Sequence, residues 1–277
     1  AMERTVQIQP LDPLMIRDGR PFGNTPGARA HTLNTVTPSV VAGTLRTMMR
    51  QHSTAGNMSS LAKVDVRGPL YMMGDRLFFP MPYDLDLFSS RQHGADSEIV
   101  VSMRRPCKPI EEGMERNKYG FLGTGKIGLH ADELWPVHMP KEILKPLKPS
   151  PSYVSAGLMT RWLCDKFSKE QWSAEITHWL NNLKETGDSV QFLAPFQREV
   201  RTHTAINSNT FTAKDQALFS TESLVLPHEL TLLAQLNIPA EIGWRGEING
   251  MHSLGGKRRL AHFREIREQD KLTEIWN

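Results

Sequence analysis

Residues 5–22 read Thr-Val-Gln-Ile-Gln-Pro-Leu-Asp-Pro-Leu-Met-Ile-Arg-Asp-Gly-Arg-Pro-Phe. Thr5 to Ile8 alternates as a half-buried strand does. Pro10-Leu11-Asp12-Pro13 breaks the alternation, and Leu14-Met15-Ile16 resumes an apolar run. Arg17 to Gly27 carries two prolines and three glycines, which spells a loop. Thr37-Pro38 then opens a helix, with Thr37 as N-cap and Pro38 at the first helical position. Val41, Leu45, Met48 and Met49 repeat at helical spacing, so the helix runs to about Gln51 with that stripe on a core. Arg46 and Arg50 are four apart and off the stripe, so both are expected on one exposed face. Strand, broken loop and amphipathic helix in this order open an α+β domain.

Outward from this stretch, Val64-Asp65-Val66 and Leu77-Phe78-Phe79 read as strands. Phe79-Pro80-Met81-Pro82 must leave the sheet, because proline donates nothing to a ladder. Residues 90–150 lack a pattern and read as an elaborated insertion. Lys145 to Pro151, with three prolines, marks a boundary, giving domains 2–147 and 148–277. Two helical stripes follow: Val154, Leu158, Met159, Trp162 and Leu163, then Trp172, Ile176, Trp179, Leu180 and Leu183. Their tryptophans read as core anchors. From Val200 the pattern turns to strands, through a Thr-rich stretch 202–212 and Leu218 to Leu226. A short helix is expected around His228 to Leu236 and a strand over Glu241 to Ile248. Leu254 to Arg259 reads as a glycine-rich loop, and alternation resumes over Leu260 to Ile266. The whole is α+β with mixed sheets and no short repeat.

The chain has 277 residues, 39% of them hydrophobic and 23% charged, which suits one or two globular domains and excludes a disordered chain. Two cysteines exclude a disulfide framework and point to a reducing, cytoplasmic setting. No run approaches 18 apolar residues, so neither a membrane span nor a signal peptide is expected. A net charge of +3 alone does not name a nucleic-acid binder. Its distribution says more. Arg17, Arg20, Arg29, Arg46 and Arg50 face a single acid, Asp18, between Pro13 and Arg50. Lys257, Arg258, Arg259 and Arg264 face none between Leu254 and Arg264. Two cationic segments at opposite ends of the chain suit one anion-binding surface if the fold joins them.

Several chemistries are set aside. Gly120-Phe-Leu-Gly-Thr-Gly-Lys-Ile-Gly128 has phosphate-loop spacing, but Ile127 replaces the magnesium-binding hydroxyl. As a dinucleotide fingerprint it lacks a preceding buried strand, since Glu111 to Lys118 is charged. No His-Glu-x-x-His pattern exists, and Cys107 and Cys164 have no partner at ligand spacing, so no metal or other cofactor is expected. No Gly-x-Ser-x-Gly elbow is present. Asp84 and Asp86 sit beside Pro80 and Pro82 and solvate a loop. His31 and His203 are the histidines to consider for metal-independent RNA cleavage. Leu254-Gly255-Gly256-Lys257-Arg258-Arg259 is more telling. Paired glycines let backbone N–H groups approach an anion, and three basic side chains follow.

The stretch Pro10 to Phe22 resembles the N-terminal signature of a CRISPR protein family, the third subunit of the type III-B Cmr effector. Further likenesses follow in the same order. They are Leu77 to Leu85, Arg198-Glu199-Val200-Arg201 through Thr210-Phe211-Thr212-Ala213 with Leu218-Phe219, and Leu254 to Leu260. Lys257 stands where an acidic residue is usual, and the chain stops sooner than that family is expected to. The resemblance implies ferredoxin-like, RRM-related folds, generally two, in the RAMP superfamily. It implies binding of the 5′ handle of the guide crRNA, with the large polymerase/cyclase-like subunit on one side and the repeating backbone subunit on the other. It implies no target-cleaving activity of its own.

The aromatic signature that stacks bases in ordinary RRMs is absent, so RNA contacts are expected from loops, phosphates and backbone amides. The expected contacts are Arg17, Arg20, Phe22, Arg46, Arg50, Gly255, Gly256, Lys257, Arg258 and Arg259, with Arg198, Arg201 and His203 behind them. Two alternatives stay open: a repeat-processing endoribonuclease using His31 or His203, and a scaffold that binds protein alone.

Overall fold

A computed structural model describes residues 2–23, 27–51, 58–89, 98–104, 144–166, 168–183 and 190–266. The motif at 120–128 and Cys107 lie outside them. The chain forms two compact units: residues 1–79 with 195–277, and residues 80–194. The boundary expected at 147/148 thus falls inside the second unit. The reason lies in strand pairing, because the late part of the chain supplies both neighbours of the first strand.

In chain order the first unit begins with β1 (Met2–Pro10), β2 (Ala28–Ala30), α1 (Pro38–Gln51), α2 (Met58–Leu61), β3 (Asp65–Met73) and β4 (Arg76–Pro80). The second unit holds β5 (Leu85–Ser89), β6 (Ile99–Met103), β7 (Lys145–Pro146), β8 (Tyr153–Ser155), α3 (Ala156–Leu163), α4 (Lys169–Asn181) and β9 (Phe192–Leu193). The chain then returns to the first unit with β10 (Gln197–Ile206), β11 (Ala213–Val225), β12 (Leu230–Ile238), β13 (Asn249–Ser253) and β14 (Leu260–Ile266).

The main sheet of the first unit runs β13-β14-β1-β12-β3-β4, each neighbour antiparallel. β1 and β3 are joined through α1, and β12 lies between them, antiparallel to both. This is a split β-α-β arrangement. Val6 and Ile8 of β1 are fully buried while Gln7 and Gln9 are half-buried, so one sheet face turns to the core. The expected helix α1 is present, and Val41, Leu45, Met48 and Met49 are its buried stripe. It packs against β3 and β13.

Two local expectations are corrected. Residues 228–236 are not a helix, for Leu230–Ile238 is the strand β12. It sits between β1 and β3 with all but Thr231 and Asn237 buried. A strand covered on both faces reads as a near-continuous apolar run, which periodicity cannot tell from a buried helix. Residues 241–248 are not a strand. A short 3-10 turn, Ala240–Ile242, ends at Gly243 with φ +62°, and pairing starts only at Asn249.

The second unit has an antiparallel sheet β6-β5-β7, the antiparallel pair β8–β9, and α3 and α4. Trp162, Trp172 and Trp179 are buried with Ile176 and Phe192. Trp172 meets Trp162 and Phe192 edge-on at 5.7 and 5.8 Å between ring centroids. The tryptophans are core anchors, as their spacing predicts. Leu163 lies outside this core at 75% exposure. Asp84 is exposed, whereas Asp86 is drawn into a two-pronged ion pair with Arg104 at 2.6 Å.

Candidate nucleic-acid interface

The three-stranded sheet β10-β11-β2 of the first unit carries the site. β10 and β11 form an antiparallel hairpin, and β2 adds to β11 in parallel. Alternation sorts the hairpin into two faces. His203 lies opposite Phe219 and Arg201 opposite Thr221 on one face, while Arg198 and Glu222 belong to the other.

The run Leu14-Met15-Ile16 holds this hairpin to the glycine-rich loop. Leu14 and Leu224 exchange backbone hydrogen bonds of 2.8 and 2.6 Å. The Gly256 N–H donates to the Met15 carbonyl at 2.7 Å. Leu260 N–H donates to the Asp12 carboxylate at 2.9 Å, and the Leu260 carbonyl accepts from the N–H of Leu11 and Asp12. The early loop and the late loop are therefore physically joined. Gly255 is required at the junction, because φ there is +77° and an added Cβ would lie 2.7 Å from the Met15 carbonyl oxygen.

Beyond Gly256 the chain turns through Lys257 and Arg258, with φ of +56° and +50°. Two successive positive φ values are the signature of a type I′ turn, which favours Asn-Gly over two long side chains. Outside the turn, Leu254 N–H donates to the Arg259 carbonyl at 2.7 Å and ties the base of the loop together. Lys257 is thereby aimed back at the hairpin. Its Nζ lies 5.4 Å from the Phe219 ring centroid and 3.2 Å from His203 Nε2. His203 and Phe219 stack at 5.2 Å with ring planes 23° apart. Phe22 meets Phe219 edge-on at 5.8 Å, and the Arg17 guanidinium lies 5.6 Å from the Phe22 centroid. Three chain-distant segments thus make one platform of aromatic faces and cations. Phosphates and stacked bases of a single strand suit such a surface.

The electrostatics match. Burial, then the charges of Lys257, Arg201 and Arg259, hold the His203 ring below its ordinary pKa. Burial and then Arg259 also lower the Lys257 ammonium. His203 Nε2 lies between Lys257 Nζ at 3.2 Å and the Thr221 hydroxyl at 2.9 Å. Arg259 Nε is buried and has no hydrogen-bond partner among the described residues. A site that disfavours its own positive charges is one that a bound anion stabilises.

The other expected residues are distributed unevenly. Arg20 is exposed beside this platform's loop and pairs with Asp18 at 3.2 Å, while Arg17 donates to the Arg20 carbonyl at 3.4 Å. Arg201 is exposed and pairs with Glu199 at 2.7 Å. Arg198 is on the opposite hairpin face and is committed elsewhere. It bonds Glu222 at 2.9 Å and also Asn34. Glu222 further receives Arg29 at 2.8 Å, His31 Nδ1 at 3.3 Å and the Thr32 N–H at 3.2 Å. Burial raises its carboxyl pKa, but Thr32, Arg198 and Arg29 together outweigh that and hold it low.

Arg46 and Arg50 do not share one exposed face. Arg50 is exposed, but Arg46 is half-buried and donates to the Val64 carbonyl at 2.7 Å. The chain turning from α2 into β3 leaves that carbonyl without a ladder partner, and the long arginine stem reaches it. Neither residue enters the contacts that join the loops. Arg46→Met keeps the stem and loses the hydrogen bond. It should cost about 1–2 kcal/mol in urea unfolding and leave nucleic-acid affinity unchanged.

Sequence reasoning missed Phe219 as a site residue, together with Thr221, whose hydroxyl lies 2.9 Å from His203 Nε2. Near the hairpin tip Ile206 faces Ala213, and extending that register would place Gln216 opposite His203. A bulge shifts the register between Thr204 and Ile206, with Gln216 at φ +56°, and Phe219 arrives instead.

Residues 6–277 match the family described as CRISPR-associated protein (Cas_Cmr3). The chain belongs to this family, which makes it a subunit of the Cmr type. No curated protein matches the sequence. It is similar at 16% identity to chains in two cryo-EM structures. One is the type III-B Cmr-beta bound to cognate target RNA, with a TM-score of 0.46. The other is Cmr-beta bound to cognate target RNA and AMPPnP, with a TM-score of 0.44. Each match covers 96% of this chain and 64% of the other. The chain therefore spans a little under two thirds of the length of those relatives. Among the described residues no helix is long and apolar enough to cross a membrane, and no group of three metal-ligating side chains occurs.

Proposed function

We propose that this chain is a non-catalytic, RNA-contacting subunit of a cytoplasmic type III-B CRISPR effector. The Phe22–Phe219–His203–Lys257 platform holds a single-stranded part of the guide RNA, namely its 5′ handle. The large polymerase/cyclase-like subunit and the backbone subunit are the protein partners. We read β14-β1-β12-β3, with α1 as the crossover, as a ferredoxin-like order whose second crossover holds β13 in place of a helix. The second unit takes the place of a second, heavily modified fold of that class. The observation that carries the RNA reading is the union of two cationic loops, about 240 residues apart, through Met15 and Gly256 beside two aromatic rings.

The turn itself supplies the test. Lys257→Asn with Arg258→Gly gives the residues that a type I′ turn prefers, so stability should rise by about 1 kcal/mol. Two cations are lost at the same time. Affinity for handle-containing RNA should fall, and its salt slope should flatten by about 1.4. A more stable protein with unchanged affinity and slope would refute the assignment. The RNA should also stay intact in chelator. Site-specific cleavage abolished by His203→Ala would favour a nuclease instead.

Proton linkage gives a second expectation. A phosphate beside His203 raises the ring pKa from its depressed value, so binding takes up a proton. Affinity should therefore rise as pH falls through the bound-state pKa and level off below the free-state one. His203→Gln should remove this dependence in a fluorescence titration across pH.

A further inference from the structure

The outer edge of β10 is open. Leu224 gives both its N–H and its C=O to Leu14, so neither reaches Arg198 opposite it. Arg198 therefore turns its own backbone groups away from β11. Leu218 repeats the pattern, since its carbonyl accepts from Gly27 N–H on the β2 side and it lies opposite Thr204. By alternation Val200 and Thr202 face outward as well. Among the described residues no strand pairs with this edge, and Arg198, Val200, Thr202 and Thr204 are all exposed. Folded proteins blunt such edges with proline, lysine or a bulge. Arg198 to Thr204 holds neither proline nor lysine, and the bulge comes only after Thr204. Its charges are of both signs: Glu199 and Arg201 share one face and pair within the chain at 2.7 Å.

We propose that this edge pairs antiparallel with the same edge of a second copy of the chain, Val200 facing Val200 across the two-fold axis. Charge selects that register. It sets Glu199 opposite Arg201 of the second copy, and Arg201 opposite its Glu199. These are non-hydrogen-bonded pairs, where side chains approach most closely. Each carboxylate then lies between two guanidinium groups. Centring the axis on Glu199 or on Arg201 instead sets like charges face to face. Centring it on Thr202 sets Arg201 against His203. In the Val200 register Arg198 faces Thr202, and the copies exchange about six backbone hydrogen bonds. Val200, 48% exposed, gains an apolar neighbour. The three-stranded sheets of the two copies become one continuous sheet. The surface joined is small, so the dimer is weak and dissociates on dilution. None of this depends on RNA binding.

Sedimentation equilibrium of the full chain, without RNA, is the test. Half-association is expected on the order of 100 μM. Val200→Pro removes an outward N–H and leaves the β11 ladder whole, so it should give monomer throughout. Glu199→Lys should weaken association about tenfold, and adding Arg201→Glu should restore it. Oxidative trapping, with linked peptides mapped by mass spectrometry, reads the register. Val200→Cys places two thiols across the axis with Cα atoms about 5.5 Å apart, within disulfide reach. Thr202→Cys keeps them more than about 10 Å apart. The first should therefore link to itself about tenfold faster than the second, or more. A wild-type chain still monomeric at several times the expected concentration would overturn the pairing and leave the edge to a different protein. A dimer unmoved by Val200→Pro, or equal linking at the two positions, would overturn it as well.

Discussion

Gly255→Val is expected to cost about 4 kcal/mol and to abolish RNA binding in the same step. Two causes add. The backbone at Gly255 has φ +77°, which a β-branched residue adopts only under strain. A Cβ would also press to 2.7 Å on the carbonyl oxygen of Met15, a backbone atom that cannot swing aside. Moving either strand apart breaks the 2.7 Å bond from Gly256 N–H to that carbonyl. The Lys257 turn then loses its aim at Phe219. Gly243→Ala is the matched control, because φ there is +62° with open space around the missing Cβ. It should cost only about 1 kcal/mol. Urea unfolding of the three proteins, with unchanged m-values, checks both figures. Equal losses at the two glycines would show that the loops do not meet as described.

Removing the carboxylate hub behind the hairpin should have an effect of similar size. Glu222 is 4% exposed at its side chain, and its two oxygens collect Arg29, Arg198, His31 and the Thr32 N–H. Glu222→Gln leaves two half-exposed guanidinium groups facing a neutral amide that cannot accept from all of them. The expected loss at pH 7 is about 2–4 kcal/mol, with the arginine exposure placing it below that of a wholly buried pair. The sign with pH follows from the depressed carboxyl. Its contribution is complete above the ordinary value of 4.5 and fades as pH falls through the lower folded value. Wild type and variant should therefore converge in stability in acid. A constant gap down to the acid transition would mean that charge is not what Glu222 supplies.

How far the sequence revealed this fold depended on whether the pattern was local. Helix α1 and the tryptophan-bearing helices have one wet face each, so their periodicity is visible in the sequence, but the stripes overrun the helices: Val154 belongs to strand β8, and Leu163 and Leu183 are exposed. The apolar run of β12 is compatible with a helix in the sequence because the strand is buried along nearly its whole length, which erases the alternation that marks a strand. The early and late cationic segments were legible as charge. Only the pairing of Met15 with Gly256 turned them into one surface. Phe219 stayed hidden behind a bulge, since register beyond an irregular turn is set by tertiary contacts. Arg46 shows the reverse failure. It lies off the apolar stripe, as its spacing predicts, but a long side chain off the stripe can still curl back to a carbonyl.

Ultraviolet crosslinking of handle-containing RNA to the full chain, with the attached peptides mapped by mass spectrometry, is the most direct test of the RNA platform. Crosslinks concentrated on Phe22, Phe219 and the residues around Lys257 are the predicted result. Crosslinks confined to residues 80–194, or to the exposed end of α1 at Arg50, would contradict it.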